Sequence, residues 1–499
     1  SWFLERSQQI LIFLAQQHFS FIHFQDWQAN GFWAIRAKQL GYALRDSILT
    51  VMMHSSTRWI DQGMQQYPKD ATAQVRLDFC ETYCMRHCDI LLSPSQHMFD
   101  WAAANLIELA EDRMLVPYLQ SNPIEQSVML PPDAGHVIFF GRLETRKGLH
   151  IFADALRLLK KQSGDVPVRV SLLGKHSTVN GVSSEEVIAD LRREMPETKF
   201  TVIDNFDSFE ALNYIKRSRG LVVVASLLDN YPYVVLECIE HHLPFIAAAV
   251  GGIPEMVDER VLFSPTPDQL ARVLGSRRSL NHETLRHKYV PEVARDRWLT
   301  LHDRTNLPLQ QPESREEKVS VCVAYYNHGR YLENLIQAFQ AQDYADFEVI
   351  VVNDGSTGYS ASEFDRVTHN CTDERFRFIS TENHGPGAAR NLAVSLSTGS
   401  CLIFFDSDNL PKDNSLISRL VKAVNVSRAD CITVPYDMVD ENCAAPSDAN
   451  VIGIYRPLGS CVVLGFSENV FGDTTMIIMK PVFEQLGGFS TDRECAEDH

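Results

Sequence analysis

Short apolar runs separated by helix-length amphipathic stretches recur almost throughout this chain, and that alternation limits its fold more than any other feature. It is the pattern of stacked βαβ units, in which helices cover the faces of a parallel sheet. The runs at 48–53 (ILTVMM), 137–140 (VIFF), 168–173 (VRVSLL), 221–225 (LVVVA) and 245–249 (FIAAA) predict one series of strands. A second series is predicted at 319–324 (VSVCVA), 347–352 (FEVIVV), 376–379 (FRFI) and 401–405 (CLIFF). Helices are expected between them, among others over 149–161 and 331–342.

Between the two series, residues 303–318 (DRTNLPLQQPESREEK) are polar, contain proline and show no apolar period, which predicts an exposed linker. Parts of about 300 and about 180 residues then remain, both of ordinary domain size. A formal charge of -18 argues against nucleic acid as a partner, because phosphate binding on that scale needs a basic face. A few placed cations are still enough to bind one diphosphate.

Eleven cysteines run from Cys80 to Cys495 without paired spacing, the usage of reduced thiols in a cytosolic protein. Cys80, Cys84, His87 and Cys88 form the one cluster, and their spacing of about four fits core packing on a single helix face. The start, SWFLERSQQI, lacks a Met and a basic leader, and no run reaches the roughly 18 apolar residues of a membrane span. Membrane contact is therefore expected to be peripheral at most.

In the first half, FFGRLETRKG (139–148) follows an apolar run and opens a predicted helix. Glycine permits the tight turn, and the helix start offers free N–H groups and a positive dipole end to an anion. Arg142 and Lys147 add two cations on the same loop, a set that suits a diphosphate leaving group. Downstream, SLLDNYPYVVLECIEHHLPFIAAAVGGIPE (226–255) places Asp229 and Glu237 eight apart, ahead of a turn at Gly251 and Gly252.

This half resembles the retaining glycosyltransferases of family 4, in which an acid, seven residues and a Glu precede a Gly-Gly-x-Pro-Glu turn. The resemblance covers about residues 18–300 and implies a two-lobed GT-B fold: a partial acceptor-side lobe over 1–115 and a donor-binding lobe over 116–302. It implies that Arg142 and Lys147 hold the nucleotide diphosphate, Glu237 the ribose and Asp229 the sugar, with Gly251 and Gly252 in the donor turn. It also implies a catalytic place for Glu237 and for His54, which ends a predicted strand. The family's first acid is usually Glu; Asp229 is one methylene shorter, a departure that either loses the contact with the sugar or selects a different sugar. No metal is expected here.

In the second half, VSVCVAYYN (319–327), VVNDGS (351–356), ENHGPGAARN (382–391), LIFFDSDN (402–409) and FGDTTMIIMKPVFEQLGGF (471–489) follow in order. Asp406 and Asp408 directly follow an apolar strand, so both carboxylates reach its carboxyl end, and two hard oxygen donors suit Mg²⁺ or Mn²⁺. These motifs resemble the inverting glycosyltransferases of family 2, implying a single Rossmann-like GT-A domain over 319–499. By that resemblance Asp354 contacts the base or ribose and Arg390 the phosphate or uridine. The resemblance likewise implies that Asp406 and Asp408 hold a metal bridging the diphosphate and that Asp498 is the catalytic base. Ala324 stands where the family commonly has Pro.

Both resemblances predict an α/β chain, a GT-B module followed by a GT-A module, cut short at both ends. The expected function is bifunctional transfer from UDP- or GDP-linked sugars to glycan or lipid-linked acceptors in surface polysaccharide synthesis. The expected location is the cytoplasm, at most along the inner face of the membrane. The competing reading is that one module has lost catalysis and serves as a carbohydrate-binding or scaffolding domain. A dinucleotide-binding dehydrogenase is disfavoured because no G-x-G-x-x-G follows a first strand in either half.

Overall fold

The computed structural model describes residues 1–119, 133–279, 285–306, 317–440 and 451–492. The chain divides into two compact units, Ser1–Ile35 with Ser47–Leu307, and Arg36–Asp46 with Pro308–His499.

Two parallel sheets build the first unit. The smaller runs in the order Phe21–Gln25, Ile48–Met52, Ile90–Ser93, Arg113–Leu115. Ile48–Met52 and Ile90–Ser93 are buried at every position, so they read as continuous apolar runs without alternation. The larger sheet runs Leu262–Phe263, Phe245–Ala248, Gly220–Val224, Asp133–Phe140, Arg169–Leu173, Lys199–Ile203, with every pairing parallel. Its strand order reverses between Asp133–Phe140 and Gly220–Val224, so the loops leaving these strands diverge and open a crevice at their carboxyl ends. The helix Leu149–Ser163 that follows is bounded at both ends by glycines in the left-handed region, Gly148 at φ 76° and Gly164 at φ 66°.

In the second unit the sheet order is Phe376–Thr381, Phe347–Asp354, Val319–Tyr325, Cys401–Asp406, Met476–Met479, Cys431–Thr433. The first four strands are parallel; Met476–Met479 runs antiparallel to both of its neighbours. Alternate residues of the central strand feed two cores. Val319, Val321, Val323 and Tyr325 join Leu332, Leu335, Ile336 and Phe339 of the helix Gly329–Gln340. Cys322 joins Ala389 and Ala393 of the helix Pro386–Ser395 on the other face. Here the strand order reverses between Val319–Tyr325 and Cys401–Asp406, which sets a second crevice beyond those strand ends.

The predicted strands all form, most within one or two residues of the expected ends. The helix Ala71–His87 buries Cys80 and Cys84 in the core, and burial pushes the Cys84 thiol well up. None of the nine cysteines among the described residues is in a disulfide, and among those residues no trio of His, Cys, Asp or Glu is placed to hold a metal. No helix among them is long and apolar enough to cross a membrane.

Candidate functional site

The first crevice gathers its charge from the two loops at the strand reversal. Lys147, at the end of the loop after Asp133–Phe140, donates through Nζ to Oδ2 of Asp229, on the loop after Gly220–Val224. Ser226 Oγ donates to the same oxygen at 2.9 Å, and Arg146 Nη1 lies 3.8 Å from Oδ1. Burial pushes the Asp229 carboxyl up, but the Lys147 and Arg146 charges outweigh it and hold Asp229 below the usual carboxylate range. Arg146 is held in turn by Glu144 Oε1 at 3.0 Å and by the Leu228 carbonyl at 3.4 Å. Arg142 points outward, with a side chain 62% exposed and Nε 3.5 Å from Glu144.

Glu237 is buried on the helix Tyr233–Glu240 and accepts a hydrogen bond from Ser208 Oγ. The Gly251–Gly252 turn lies against the backbone of Asp229 and Asn230. Gly251 has φ +57°, and a Cβ there would stand 1.7 Å from the Asp229 carbonyl oxygen; at Gly252 it would stand 1.9 Å from that of Asn230. Glycine is required at both positions by this close approach.

His54 follows the strand Ile48–Met52. Its backbone N–H donates to Asp26 Oδ1 at 3.0 Å, and its ring Nδ1 meets the Tyr118 hydroxyl. Burial lowers the His54 pKa, while the nearby Asp229 charge opposes that shift. His54, Lys147, Asp229 and the glycine turn are thus brought together, with Arg142 at their solvent side. Arg146, Asp26 and Tyr118 were not singled out from the sequence. Arg146 could have been, as the neighbour of Lys147 in R-K-G; nothing local marks Tyr118.

In the second unit a cavity of about 510 Å³ lies between the loops after Val319–Tyr325 and Cys401–Asp406. Its lining includes Tyr326, His328, Asp354, Arg390, Asp406 and Asp408. Asp354, at a strand end, accepts the backbone N–H of His384 at 2.8 Å and of Gly385 at 2.9 Å, one on each carboxylate oxygen. It thereby fixes the loop that starts the helix Pro386–Ser395. From that helix Arg390 Nη2 donates to Asp406 Oδ1 at 2.7 Å, with its guanidinium 5.3 Å from the Phe489 ring centroid. Thr474 Oγ1 donates to Asp406 Oδ2 at 2.9 Å, so Asp406 is oriented through both oxygens. Asp408 is exposed at the rim.

The second site thus brings Asp354, Arg390, Asp406 and Asp408 around one cavity, while Asp498 lies outside the described residues. Two carboxylates at one strand end are an oxygen donor set that fits Mg²⁺ or Mn²⁺. Sequence reasoning passed over Thr474, inside the F-G-D-T-T run, and His328, whose Nδ1 stands 2.9 Å from Ser407 Oγ.

Residues 134–276 match the family model described as glycosyl transferases group 1, and residues 320–471 match the one described as glycosyl transferase family 2. Glycosyltransferase GlyG of Streptococcus pneumoniae serotype 4 is 35% identical over 127 residues, covering 25% of this chain and 41% of its own. An uncharacterized glycosyltransferase of Nostoc sp. is 30% identical over 136 residues, covering 27% of this chain and 42% of its own. The chain therefore spans about two fifths of the length of these relatives. A mannosyltransferase from Pyrobaculum calidifontis, solved in complex with GDP-Man and Mn²⁺, is 23% identical at a TM-score of 0.29, covering 37% of this chain and 50% of that one.

Proposed function

We propose, given that the chain belongs to the glycosyltransferases with a group 1 segment followed by a family 2 segment, that it transfers sugars at two separate sites. The donors are nucleotide sugars with UDP or GDP leaving groups. The acceptors are glycans or lipid-linked sugars of the kind assembled into surface polysaccharide. What carries this reading is the contrast between the two crevices. Basic side chains line one and a carboxylate pair ends the strand at the other, and either can manage the charge of a departing diphosphate.

In the first unit, retaining transfer builds negative charge on the diphosphate as the bond to the anomeric carbon breaks. Lys147 and Arg142 stabilise that charge, and the start of the helix Leu149–Ser163 adds its dipole. Asp229 holds Lys147 beforehand, so an incoming phosphate competes with a carboxylate for the same ammonium. Gly251 and Gly252 seat the donor turn, Glu237 takes the ribose hydroxyls, and His54 faces the sugar.

In the second unit, Asp406 and Asp408 would hold a divalent cation, which when bound neutralises charge on the donor diphosphate. Asp354 and Arg390 shape the nucleotide side of the cavity. Asp498 takes the proton of the acceptor hydroxyl as its oxygen attacks the anomeric carbon, and the sugar–phosphate bond breaks on the opposite face, inverting the centre.

A second reading, in which the first unit only binds carbohydrate, is favoured by the Lys147–Asp229 ion pair, because it ties up the cation that would receive the phosphate. Incubating the full chain with a panel of nucleotide sugars and measuring released UDP and GDP tests both. Diphosphate release partly resistant to excess chelator supports two active sites. Release wholly abolished by chelator favours the silent first unit, and no release from any donor would overturn the proposal.

A further inference from the structure

The helix Gln96–Ala104 of the first unit begins without a cap of its own. Its N-cap residue Ser95 makes no side-chain capping bond. The first N–H groups of such a helix have no intrahelical acceptor and need one from elsewhere. Glu255 provides it across the crevice: its two carboxylate oxygens accept the backbone N–H groups of Gln96 and His97, each at 2.8 Å. The freed Ser95 hydroxyl donates instead to Asn230 Oδ1 at 2.6 Å. Asn230, 3% exposed, spends its amide on the carbonyls of Met53 and His54, both at 2.9 Å. The His54 peptide is therefore gripped on both sides, at its N–H by Asp26 and at its carbonyl by Asn230. Gly252 allows this closeness, since a Cβ there would stand 2.8 Å from Ser95 Cβ.

We infer that Asn230 and Glu255 are positioning residues that clasp the two lobes of the first unit and hold His54 at the donor loops, an inference that rests on the proposed function of that unit. Asn230 adjoins Asp229 and Glu255 closes the G-G-I-P-E turn, so the stretch that carries the donor motif also fastens the opposite lobe. A nucleotide seated on the donor lobe alone does not need the clasp. Chemistry that uses His54 does.

The test compares Glu255→Ala, Asn230→Asp and the milder Ser95→Ala with the wild type in the full chain. Amide hydrogen exchange at Gln96 and His97 should accelerate at least about tenfold in Glu255→Ala, because capped first-turn amides lose their acceptor. Chelator-resistant nucleotide-sugar hydrolysis should fall in kcat by on the order of 10²-fold in Asn230→Asp, the scale for a catalytic group displaced by about 1 Å. Calorimetric affinity for UDP and GDP should stay within about twofold, since ground-state binding to the donor lobe is untouched. Ser95→Ala should move both kcat and exchange in the same direction, less far. Unchanged exchange would show that the clasp is not made. Faster exchange with unchanged kcat would make it purely structural, and affinity falling in step with kcat would make Asn230 a donor contact; each overturns the inference. If the wild type releases no nucleotide through its first unit, the proposed function fails, and the exchange data still decide whether the clasp exists.

Discussion

At the scale of single residues, the buried ammonium and carboxylate of Lys147 and Asp229 are the most consequential pair in the first unit. Removing one partner of a buried ion pair typically costs about 3–5 kcal/mol, because the other charge is left without compensation. Arg146, 3.8 Å away, recovers part of that for Asp229. Lys147→Ala should therefore destabilise the first unit and also cost at least about 2 kcal/mol of transition-state stabilisation in its turnover. In the wild type the depressed Asp229 pKa adds stability above the ordinary carboxylate value of about 4, lost as pH falls through the folded value. Urea melts between pH 3 and 7 should thus lose less stability on acidification in Lys147→Ala than in the wild type; equal slopes would contradict the pairing.

Asp26 and Glu81 behave oppositely. Burial raises Asp26 to about 6 and Glu81 to about 8, although backbone N–H groups, and for Glu81 the Thr57 hydroxyl, pull them down. Such groups favour the folded state while protonated, so stability falls as pH rises through these values. Exchange protection in the helix Ala71–His87 should drop by a few kcal/mol between pH 5 and 8, on the scale of about 1.4 kcal/mol per pKa unit, and the drop should shrink in Glu81→Gln.

Among the elements, the proposed chemistry falls on the loops at the two strand reversals, and glycine decides how closely they pack. Gly251→Ala would put a Cβ 1.7 Å from the Asp229 carbonyl at φ +57°, a conformation costing a non-glycine residue about 1–2 kcal/mol even without the clash. The turn must then move, and the nucleotide affinity of the first unit should fall at least about tenfold, one decade per 1.4 kcal/mol, by calorimetry. Unchanged affinity would remove this turn from the donor site.

The strands flanking these loops were legible because buried parallel strands read as unbroken apolar runs. Phe21–Gln25 (FIHFQ) and Lys199–Ile203 (KFTVI), at sheet edges where polar residues interrupt the run, were not predicted, and neither were the interior apolar runs Ile90–Ser93 and Met476–Met479. The residues at each crevice were legible through the resemblances, since Lys147, Asp229, Asp354 and Asp406 fall within the motifs that carry them. Their partners were not. Asn230 meets the His54 carbonyl across 176 residues, and Thr474 meets Asp406 across 68, distances that no local pattern encodes.

At the scale of the whole molecule, the proposed function puts two nucleotide-sugar sites that handle charge differently on one chain. Two variants separate them: Lys147→Ala removes the cation of the first, and Asp408→Asn removes an exposed carboxylate of the second with little expected cost to folding, as for most surface substitutions. The decisive measurement is nucleotide-sugar hydrolysis by the wild type and both variants, each with and without excess chelator. Two components are expected, a chelator-resistant one lost in Lys147→Ala and a chelator-sensitive one lost in Asp408→Asn. A single component that disappears in both variants, or one that survives both, would contradict the proposed function.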